Sequence, residues 1–541
     1  MSVLSSNRTK QILGVIILAI MLVGGTYFYA LTTLKPSAPP PPPPPTDVNT
    51  LLWFDMHDPS TLDPAVVFDG SSREIFNTYE TLSRMSPDGK VVPLLATSWE
   101  SSPDGITWTY HLRDKVKFHD GTPFNADAVK FSLERTIKIN KGAAYILGPI
   151  KEIQVVDPLT MRFVLKYSQP LDLILSSLYA AYIISPTAVN QNEKDGDLAQ
   201  AWMTEHAVGT GPYKLDSWIH EQQLVYTKFN DYWRGWEGKH VERVIIKIVR
   251  EASSSMIMLG TGELDYEMNR GPLEEVNSLK QRTDINVNVN PSMDILYIRM
   301  NVQKKPLDNK KVRQAISYAF PYKDAVEKVF MGYAEQARGP LPKGLWGFDE
   351  STLQYSYDLE KAKQLLTEAG YPNGGFILDF LYYTGDEQVR KVAELLVENL
   401  GTLGITVNAR AVPFGTLYAQ ATNPDTAPHL SVHLWWPTYA DPYDYMYGMF
   451  HSSQIGVFDW SFYKNDEYDK MIEQANTISG TDRAGAIALY KKAQAMIVDD
   501  APALFIWQRH VVDMTRTWVK GYEWNIFYSE HFDFYNIYKE V

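Results

Sequence analysis

The sequence contains no cysteine among its 541 residues. It therefore has no disulfide bonds, no thiolate metal ligands and no cysteine nucleophile, and it cannot be anchored through a lipid on an N-terminal cysteine. A basic surface is missing too, because 64 acidic residues outnumber 51 lysine and arginine residues and give a net charge of −13. Phosphate binding requires clustered positive charge, so we predict no nucleic-acid partner.

The sequence also lacks the local signatures of common catalytic and metal sites. It contains no Gly-x-Ser-x-Gly elbow and no phosphate-binding loop. His220 and Glu221 begin a zinc-protease pattern, but the second histidine is absent. His429 and His433 have a spacing that fits a metal on a helix, yet the apolar residues around them alternate as in a strand. We predict no catalytic residues, no metal and no cofactor. A catalytic triad whose residues are far apart in the sequence has no local motif, so this prediction does not cover it.

An uncharged stretch at residues 11–34 follows Arg8 and Lys10. A helix of this length spans a hydrocarbon layer of about 30 Å, and the preceding positive charge keeps the N-terminus in the cytoplasm. We predict a signal anchor over residues 1–34, with a cleaved secretory signal as the alternative. A linker at residues 35–47 includes seven consecutive prolines, which predict a stiff polyproline spacer of roughly 20 Å. In either case the remaining chain is exported.

The rest of the chain alternates strand-like and helix-like segments, which predicts an α/β fold. Its length allows two or three lobes, and no internal repeat is evident. Asn125 has the position of an N-cap before a helix. The predicted strands are at 51–54, 107–112, 213–218 and 376–382, and the predicted helices are at 73–82, 126–133, 311–320 and 387–400.

Residues 434–447 contain two tryptophans, four tyrosines and two aspartates between an apolar run and a glycine. Tyrosine hydroxyls and carboxylates need hydrogen-bond partners when they are buried, so one strand cannot bury all of them. We predict that part of this segment lines a ligand-binding cleft. The alternative is an aromatic loop of the core.

Several short blocks occur along the chain from about residue 50 to the C-terminus. One block reads Phe-His-Asp-Gly-Thr-Pro-Phe at 118–124. The others are at 62–64, 99–100, 112–113, 126–131, 209–213, 301–306 with 311–319, and 507–521. In this order, the blocks resemble the extracellular solute-binding proteins, family 5, which are the peptide, nickel and oligosaccharide receptors of ABC importers.

The resemblance implies a two-lobed periplasmic-binding-protein-like fold of the class II type. Lobe 1 would comprise residues 48–290 and 511–541, with an extra subdomain inserted at about 91–206. Lobe 2 would comprise residues 291–510. The chain would cross between the lobes near residues 293–301 and 505–518.

The resemblance also implies a set of ligand-binding residues. These are Asp69, Gly70, Ser71, Tyr145, Trp435, Trp436, Thr438, Tyr439, Asp441 and Trp507. In peptide-binding members of the family an aspartate pairs with the ligand's ammonium group, but Thr438 occupies that position here, and a hydroxyl cannot replace a carboxylate as a counter-charge. Asp441 or Asp444 would take over this role, or the ligand has no ammonium group.

By this resemblance, the protein captures an oligopeptide outside the cell or in the periplasm and delivers it to a permease, whose partner ATPase hydrolyses ATP. We expect a monomer that is tethered to the membrane and has no enzymatic activity. An oligosaccharide receptor of the same family is the main alternative. Nickel or chelate binding and a membrane-bound hydrolase are less favoured.

Overall fold

The computed structural model describes residues 44–268, 271–529 and 531–540. The predicted anchor at 1–34 and most of the 35–47 linker lie outside these residues, so both stay predictions. None of the helices in the described ranges is long and apolar enough to cross a membrane.

Strands and helices alternate along the described chain, as the sequence predicts. The strands are β1 (Thr50–Asp55), β2 (Ser83–Met85), β3 (Val91–Pro93), β4 (Ala96–Ser101), β5 (Thr107–Leu112), β6 (Ile150–Asp157), β7 (Thr160–Leu165), β8 (Tyr213–Ile219), β9 (Gln223–Lys228), β10 (Arg243–Ile248), β11 (Tyr266–Met268), β12 (Ile285–Met300), β13 (Ala334–Glu335), β14 (Ile377–Tyr383), β15 (Thr406–Val412), β16 (Leu430–Trp435), β17 (Ala503–Arg516), β18 (Val519–Lys520) and β19 (Tyr538–Lys539).

The α-helices are α1 (Ser72–Ile75), α2 (Ala126–Ile139), α3 (Leu171–Ile174), α4 (Pro186–Asn192), α5 (Gln200–Met203), α6 (Ala252–Thr261), α7 (Leu273–Leu279), α8 (Lys310–Ala319), α9 (Tyr322–Asp324), α10 (Leu359–Glu368), α11 (Glu387–Gly401), α12 (Phe414–Ala421), α13 (Pro442–Phe450), α14 (Asp466–Ile478) and α15 (Arg483–Asp500). A π-helix at Ala325–Val329 follows α9, and short 3₁₀ helices are at Ala144–Leu147, Ser452–Gln454 and Ile526–Tyr528.

Two four-stranded sheets are built from the first half of the chain. One has the order β1-β10-β9-β8, in which β1 and β10 are parallel. The other, β4-β5-β7-β6, is antiparallel and comes from residues between β1 and β8 in the chain. Helix α2 follows β5 and begins where predicted, because the Asn125 side chain accepts a hydrogen bond from the Ala128 amide at 3.0 Å.

A seven-stranded sheet has the order β11-β17-β12-β16-β14-β15, with β13 beside β17. The 16-residue β12 and the 14-residue β17 are antiparallel over almost their whole length. The register shifts between Pro291 and Ile295. On one side of the shift β17 also pairs with β11, and on the other side β12 also pairs with β16. These strands overlap the two segments predicted as crossings. The crossings themselves, the lobe boundaries and the inserted subdomain at 91–206 stay predictions.

Polar side chains fix the irregular stretch where the register shifts. The buried Asp294 carboxylate lies 2.7 Å from the Arg509 guanidinium and accepts a hydrogen bond from Ser529 at 3.1 Å. The Gln508 amide donates to the Ser292 carbonyl at 2.6 Å. Each interaction joins β12 to β17 or to the C-terminal segment, so side chains as well as the backbone hold the strands together at the register shift.

The helix predicted at 73–82 is wrong over most of its length, because only Ser72–Ile75 is helical. The chain then bends, and Gly209 and Gly211 pack directly against it. The Gly211 amide donates to the Thr78 carbonyl at 2.9 Å, and a Cβ on Gly209 would lie 2.1 Å from the same oxygen. Tyr79 and Leu82 are therefore buried by tertiary packing and not because they share one face of a helix.

A buried ion pair joins α2 to the segment after β1. The Arg135 guanidinium donates to both carboxylate oxygens of Asp63, at 2.8 and 2.6 Å, and both side chains are almost inaccessible to water. Removing one partner of such a pair leaves a buried charge without compensation. We expect Arg135→Met to lower the free energy of unfolding by about 3–5 kcal/mol, measured by urea denaturation.

Lys130→Met is the matched control, because Lys130 lies on the same helix and pairs with Glu134 at the surface. It should cost about 1 kcal/mol or less. Equal losses in the free energy of unfolding for the two variants would contradict a larger contribution from the buried ion pair.

Candidate functional site

The segment that was predicted to line a ligand-binding cleft contains a loop between β16 and α13. Strand β16 ends at Trp435, and α13 begins at Pro442. The Asp441 carboxylate caps the helix, because it accepts a hydrogen bond from the Tyr443 amide at 2.9 Å. Proline at the first helical position is already constrained to a helical φ. The Asp-Pro pair therefore fixes where the 436–441 loop ends.

Asp444, in the first turn of α13, organises this loop. Its buried carboxylate accepts hydrogen bonds from the Trp435 indole at 3.1 Å, the Thr438 amide at 2.9 Å and the Tyr145 hydroxyl at 3.2 Å. Burial raises the pKa of Asp444 to about 7. Among the described residues, no lysine, arginine or histidine forms a salt bridge with it. Asp444 is thus a buried acid with neutral partners only.

The 436–441 loop contacts a wall from a distant part of the chain, formed by Tyr145 and residues 176–179. The Ser177 hydroxyl donates to the Thr438 carbonyl at 2.8 Å, and the Trp436 indole donates to the Tyr179 hydroxyl at 2.7 Å. The hydroxyls of Tyr145 and Thr438 are 3.2 Å apart. The groove between loop and wall is therefore closed, with direct hydrogen bonds across it.

Aromatic side chains continue this contact. The Phe458 ring lies 5.4 Å from Trp435, 5.3 Å from Phe68 and 6.1 Å from Tyr145, and Phe68 lies 5.4 Å from Tyr179. Tilted and edge-to-face contacts at such distances are favourable. We call Phe68, Tyr145, Tyr179, Trp435 and Phe458 the aromatic cluster. It joins residues from both sides of the groove.

A small cavity lies between the loop and the wall. It has room for one or two water molecules. The lining residues are Met85, Ser176, Ser177, Leu178, Tyr179, Trp436, Pro437, Thr438, Tyr439, Ala440, Phe527, Tyr528, Ser529 and His531.

Five of the predicted site residues lie at this groove. Trp436, Thr438 and Tyr439 line the cavity, whereas Trp435 and Tyr145 belong to the hydrogen-bonded network behind Thr438. Asp441 is buried beneath the loop, and its Oδ2 has no hydrogen-bond partner among the described residues. Burial raises the pKa of Asp441 to about 6.

Asp69, Gly70 and Ser71 form a turn before α1. The Asp69 carboxylate accepts hydrogen bonds from the Ser71 amide at 2.9 Å and the Ser60 hydroxyl at 2.8 Å. None of the three lines the cavity, but the preceding Phe68 belongs to the aromatic cluster. The local role of Asp69 in the structure is therefore to hold the turn.

Trp507 lies in β17, where its ring packs 4.9 Å from Phe330. It is buried and does not line the cavity. The sequence analysis missed Phe68, Tyr179, Phe458 and His531. No local pattern marks them, although Phe68 directly precedes the predicted Asp69.

Comparison with known proteins agrees with this architecture. Residues 90–457 match the bacterial extracellular solute-binding proteins, family 5 Middle. The chain belongs to this family. It is 33% identical over 478 residues to the probable D,D-dipeptide-binding periplasmic protein DdpA of Escherichia coli, which covers 86% of this chain and 90% of that protein. It is 30% identical to the heme-binding protein A of Haemophilus influenzae over 84% of this chain and 86% of that protein.

A solved structure has the same fold. The periplasmic binding protein DppA from Helicobacter pylori, in complex with the peptide STSA, has a TM-score of 0.81 and 29% identity, and the match covers 91% of this chain and 98% of that one. The predicted family and the predicted α/β binding-protein fold are confirmed. The family consists of solute-binding proteins, in agreement with the expected absence of catalysis.

The raised pKa of Asp444 predicts a pH-dependent stability. The folded state favours the protonated acid, so the ionised carboxyl destabilises the fold increasingly as the pH rises from about 4 to about 7. Asp444→Asn keeps the shape and removes the charge. The variant should gain about 2 kcal/mol over the wild-type protein between pH 5 and pH 8, measured by urea denaturation.

The exposed Asp425 provides a control. Asp425→Asn should follow the wild-type pH profile. Parallel profiles for Asp444→Asn and the wild-type protein would contradict a raised pKa at this site.

Proposed function

We propose that this protein is the substrate-binding component of an ABC importer and captures short peptides with a free amino group. The observation that carries the proposal is the buried Asp444 carboxylate, which has no cationic partner among the described residues. It lies beside Thr438, the residue that replaces the usual ammonium-binding aspartate.

A buried carboxylate without a counter-ion is costly, and an ammonium group would compensate it. Oδ2 of Asp444 already accepts two hydrogen bonds from the loop, and Oδ1 accepts the Tyr145 hydroxyl. Tyr145 comes from the opposite wall, so its hydroxyl leaves Oδ1 when the groove opens. The ligand's ammonium group would then take the position of this hydroxyl.

The proposed mechanism is closure of the groove around the ligand. Contacts to both walls favour the closed state, and a permease distinguishes closed from open by the spacing of the lobes. Relatives described as dipeptide-binding or bound to a peptide support this proposal. A body outside the cell or in the periplasm is consistent with them, and the tether to the membrane at residues 1–34 remains part of the proposal.

An oligosaccharide is the second candidate ligand. The aromatic cluster favours it, because flat aromatic faces pack well against sugar rings. The groove also contains several hydroxyl groups. A sugar, however, offers no positive charge to the Asp444 carboxylate.

The two candidates are separated by isothermal titration with dipeptides to pentapeptides and with xylo-, cello- and malto-oligosaccharides. We expect peptides to bind and their N-acetylated forms to bind at least about tenfold more weakly, because a charge-assisted hydrogen bond is lost. Asp444→Asn should remove this preference for a free amino group.

Asp425→Asn should bind peptides like the wild-type protein. Binding of oligosaccharides alone would overturn the peptide assignment. An unchanged preference in Asp444→Asn would remove Asp444 from the ligand's ammonium site.

A further inference from the structure

A second contact crosses the groove outside the cavity. Residues 167–172 precede the wall residues in the chain, and residues 479–483 connect α14 to α15. Helix α14 belongs to the loop side, because the Tyr468 hydroxyl donates to the Met446 carbonyl of α13 at 2.8 Å. We call the contact between residues 167–172 and residues 479–483 the rim contact.

The two segments meet at Gly480, where there is no room for a side chain. A Cβ on Gly480 would lie 2.8 Å from the Ser168 hydroxyl oxygen and 3.3 Å from the carbonyl carbon of Gln169. Gly105 packs at the same place, because a Cβ there would lie 2.3 Å from the Ser168 oxygen and 3.4 Å from Thr481. Ser168 and Gln169 are buried. Any residue larger than glycine at position 480 would therefore force the two segments apart.

Arg483 connects the rim contact to the 436–441 loop. Its guanidinium lies 3.8 Å from the centre of the Trp346 ring, and the Trp346 indole donates to the Ala440 carbonyl at 3.2 Å. Burial raises the pKa of the Asp172 carboxyl on the opposite side, and the positive charge of Arg483 opposes this rise. Opposite charges on the two sides of the groove therefore attract each other at the rim contact.

The rim contact also carries an energetic cost. The Ser168 hydroxyl is buried in it and has no hydrogen-bond partner among the described residues. Opening returns this hydroxyl to water, where it regains its hydrogen bonds. The attraction between Asp172 and Arg483 is modest, because Arg483 is exposed to solvent. A contact with such opposing contributions can form and break reversibly.

We propose that the rim contact is a latch that holds the groove closed. None of its residues lines the cavity, so the latch acts without touching a ligand there. Arg483 is a positioning residue, because it connects the latch to the loop through Trp346. By stabilising the closed state, the latch reduces the free energy that any ligand must supply for closure. Its strength therefore changes the affinity for different ligands by the same factor.

An engineered disulfide tests the latch, because the chain has no cysteine that could interfere. A Cβ at residue 480 lies 2.8 Å from the oxygen that is bonded to the Ser168 Cβ. The two Cβ atoms are thus close to the separation of roughly 3.5–4.5 Å found in disulfides. The Ser168→Cys/Gly480→Cys double variant should form an internal disulfide on oxidation, as measured by mass spectrometry. Ser168→Cys alone should keep its thiol, and failure of the double variant to cross-link would overturn the latch.

Hydrogen exchange of the full chain then measures opening without any ligand. Amides of residues 176–179 and 436–441 should exchange at least about tenfold more slowly in the oxidised double variant than in the reduced one, because the cross-link prevents opening. Amides of β1 and β10, which belong to a separate sheet, should exchange equally in both forms. Equal exchange at the groove in both forms would overturn the proposal.

Gly480→Val should have the opposite effect, because the added side chain forces the rim apart. The same groove amides should exchange faster than in the wild-type protein. Every dipeptide that binds the wild-type protein should bind about tenfold more weakly, by a common factor. Gly415→Val is the matched control, because nothing lies within 4 Å of a Cβ at Gly415.

Unchanged exchange and affinity in Gly480→Val would overturn the latch. The measurement of affinity rests on the proposed function, whereas the measurement of exchange does not. Failure of every peptide to bind the wild-type protein would therefore overturn the proposed function, and the exchange rates would still decide whether the rim contact is a latch.

Discussion

The seven-stranded sheet is organised around the pairing of β12 with β17. These two strands run side by side through the centre of the seven-stranded sheet, with β11 on one flank and β16 on the other. Their register shifts where Asp294, Arg509 and Ser529 meet. A register shift of this kind bends the strand locally, and these side-chain interactions hold the bend in place. The loop side of the groove depends on this pair, because β16 pairs with β12 and leads directly into the 436–441 loop.

The loop shows a conflict between stability and function. Asp444 holds Trp435 and Thr438 in place, yet its burial without a cation disfavours the ionised form. An asparagine would hold the same loop at a lower electrostatic cost. The proposed binding of a ligand's ammonium group would offset this cost, as the stability–function trade-off at binding sites leads one to expect.

Local features of the fold could be predicted from the sequence because they depend on neighbouring residues. The Asn125 cap needs only a hydrogen bond from a residue three positions later. The strand at 107–112 needs only alternating buried and more exposed side chains. The helix at 73–82 could not be predicted, since the close approach of Gly209 and Gly211 decides that backbone. The composition of residues 434–447 marked Trp435, and the resemblance to a known family led to Tyr145. Phe68, Phe458 and His531 reach the groove through tertiary packing alone.

The contacts across the closed groove act on ligand affinity in opposite directions. The bonds from Ser177 to Thr438 and from Trp436 to Tyr179 involve groups that can stay paired around a small ligand. They favour the closed state and reduce the free energy that the ligand must supply for closure. The bond from Tyr145 to Asp444 uses the oxygen proposed for the ligand's ammonium group, so it competes with the ligand. A neutral hydroxyl does not compensate an ionised carboxylate, whereas an ammonium group does. On the proposed function, the closed state with a peptide is therefore the more stable of the two, which would give a partner permease a physical basis for selecting the loaded receptor.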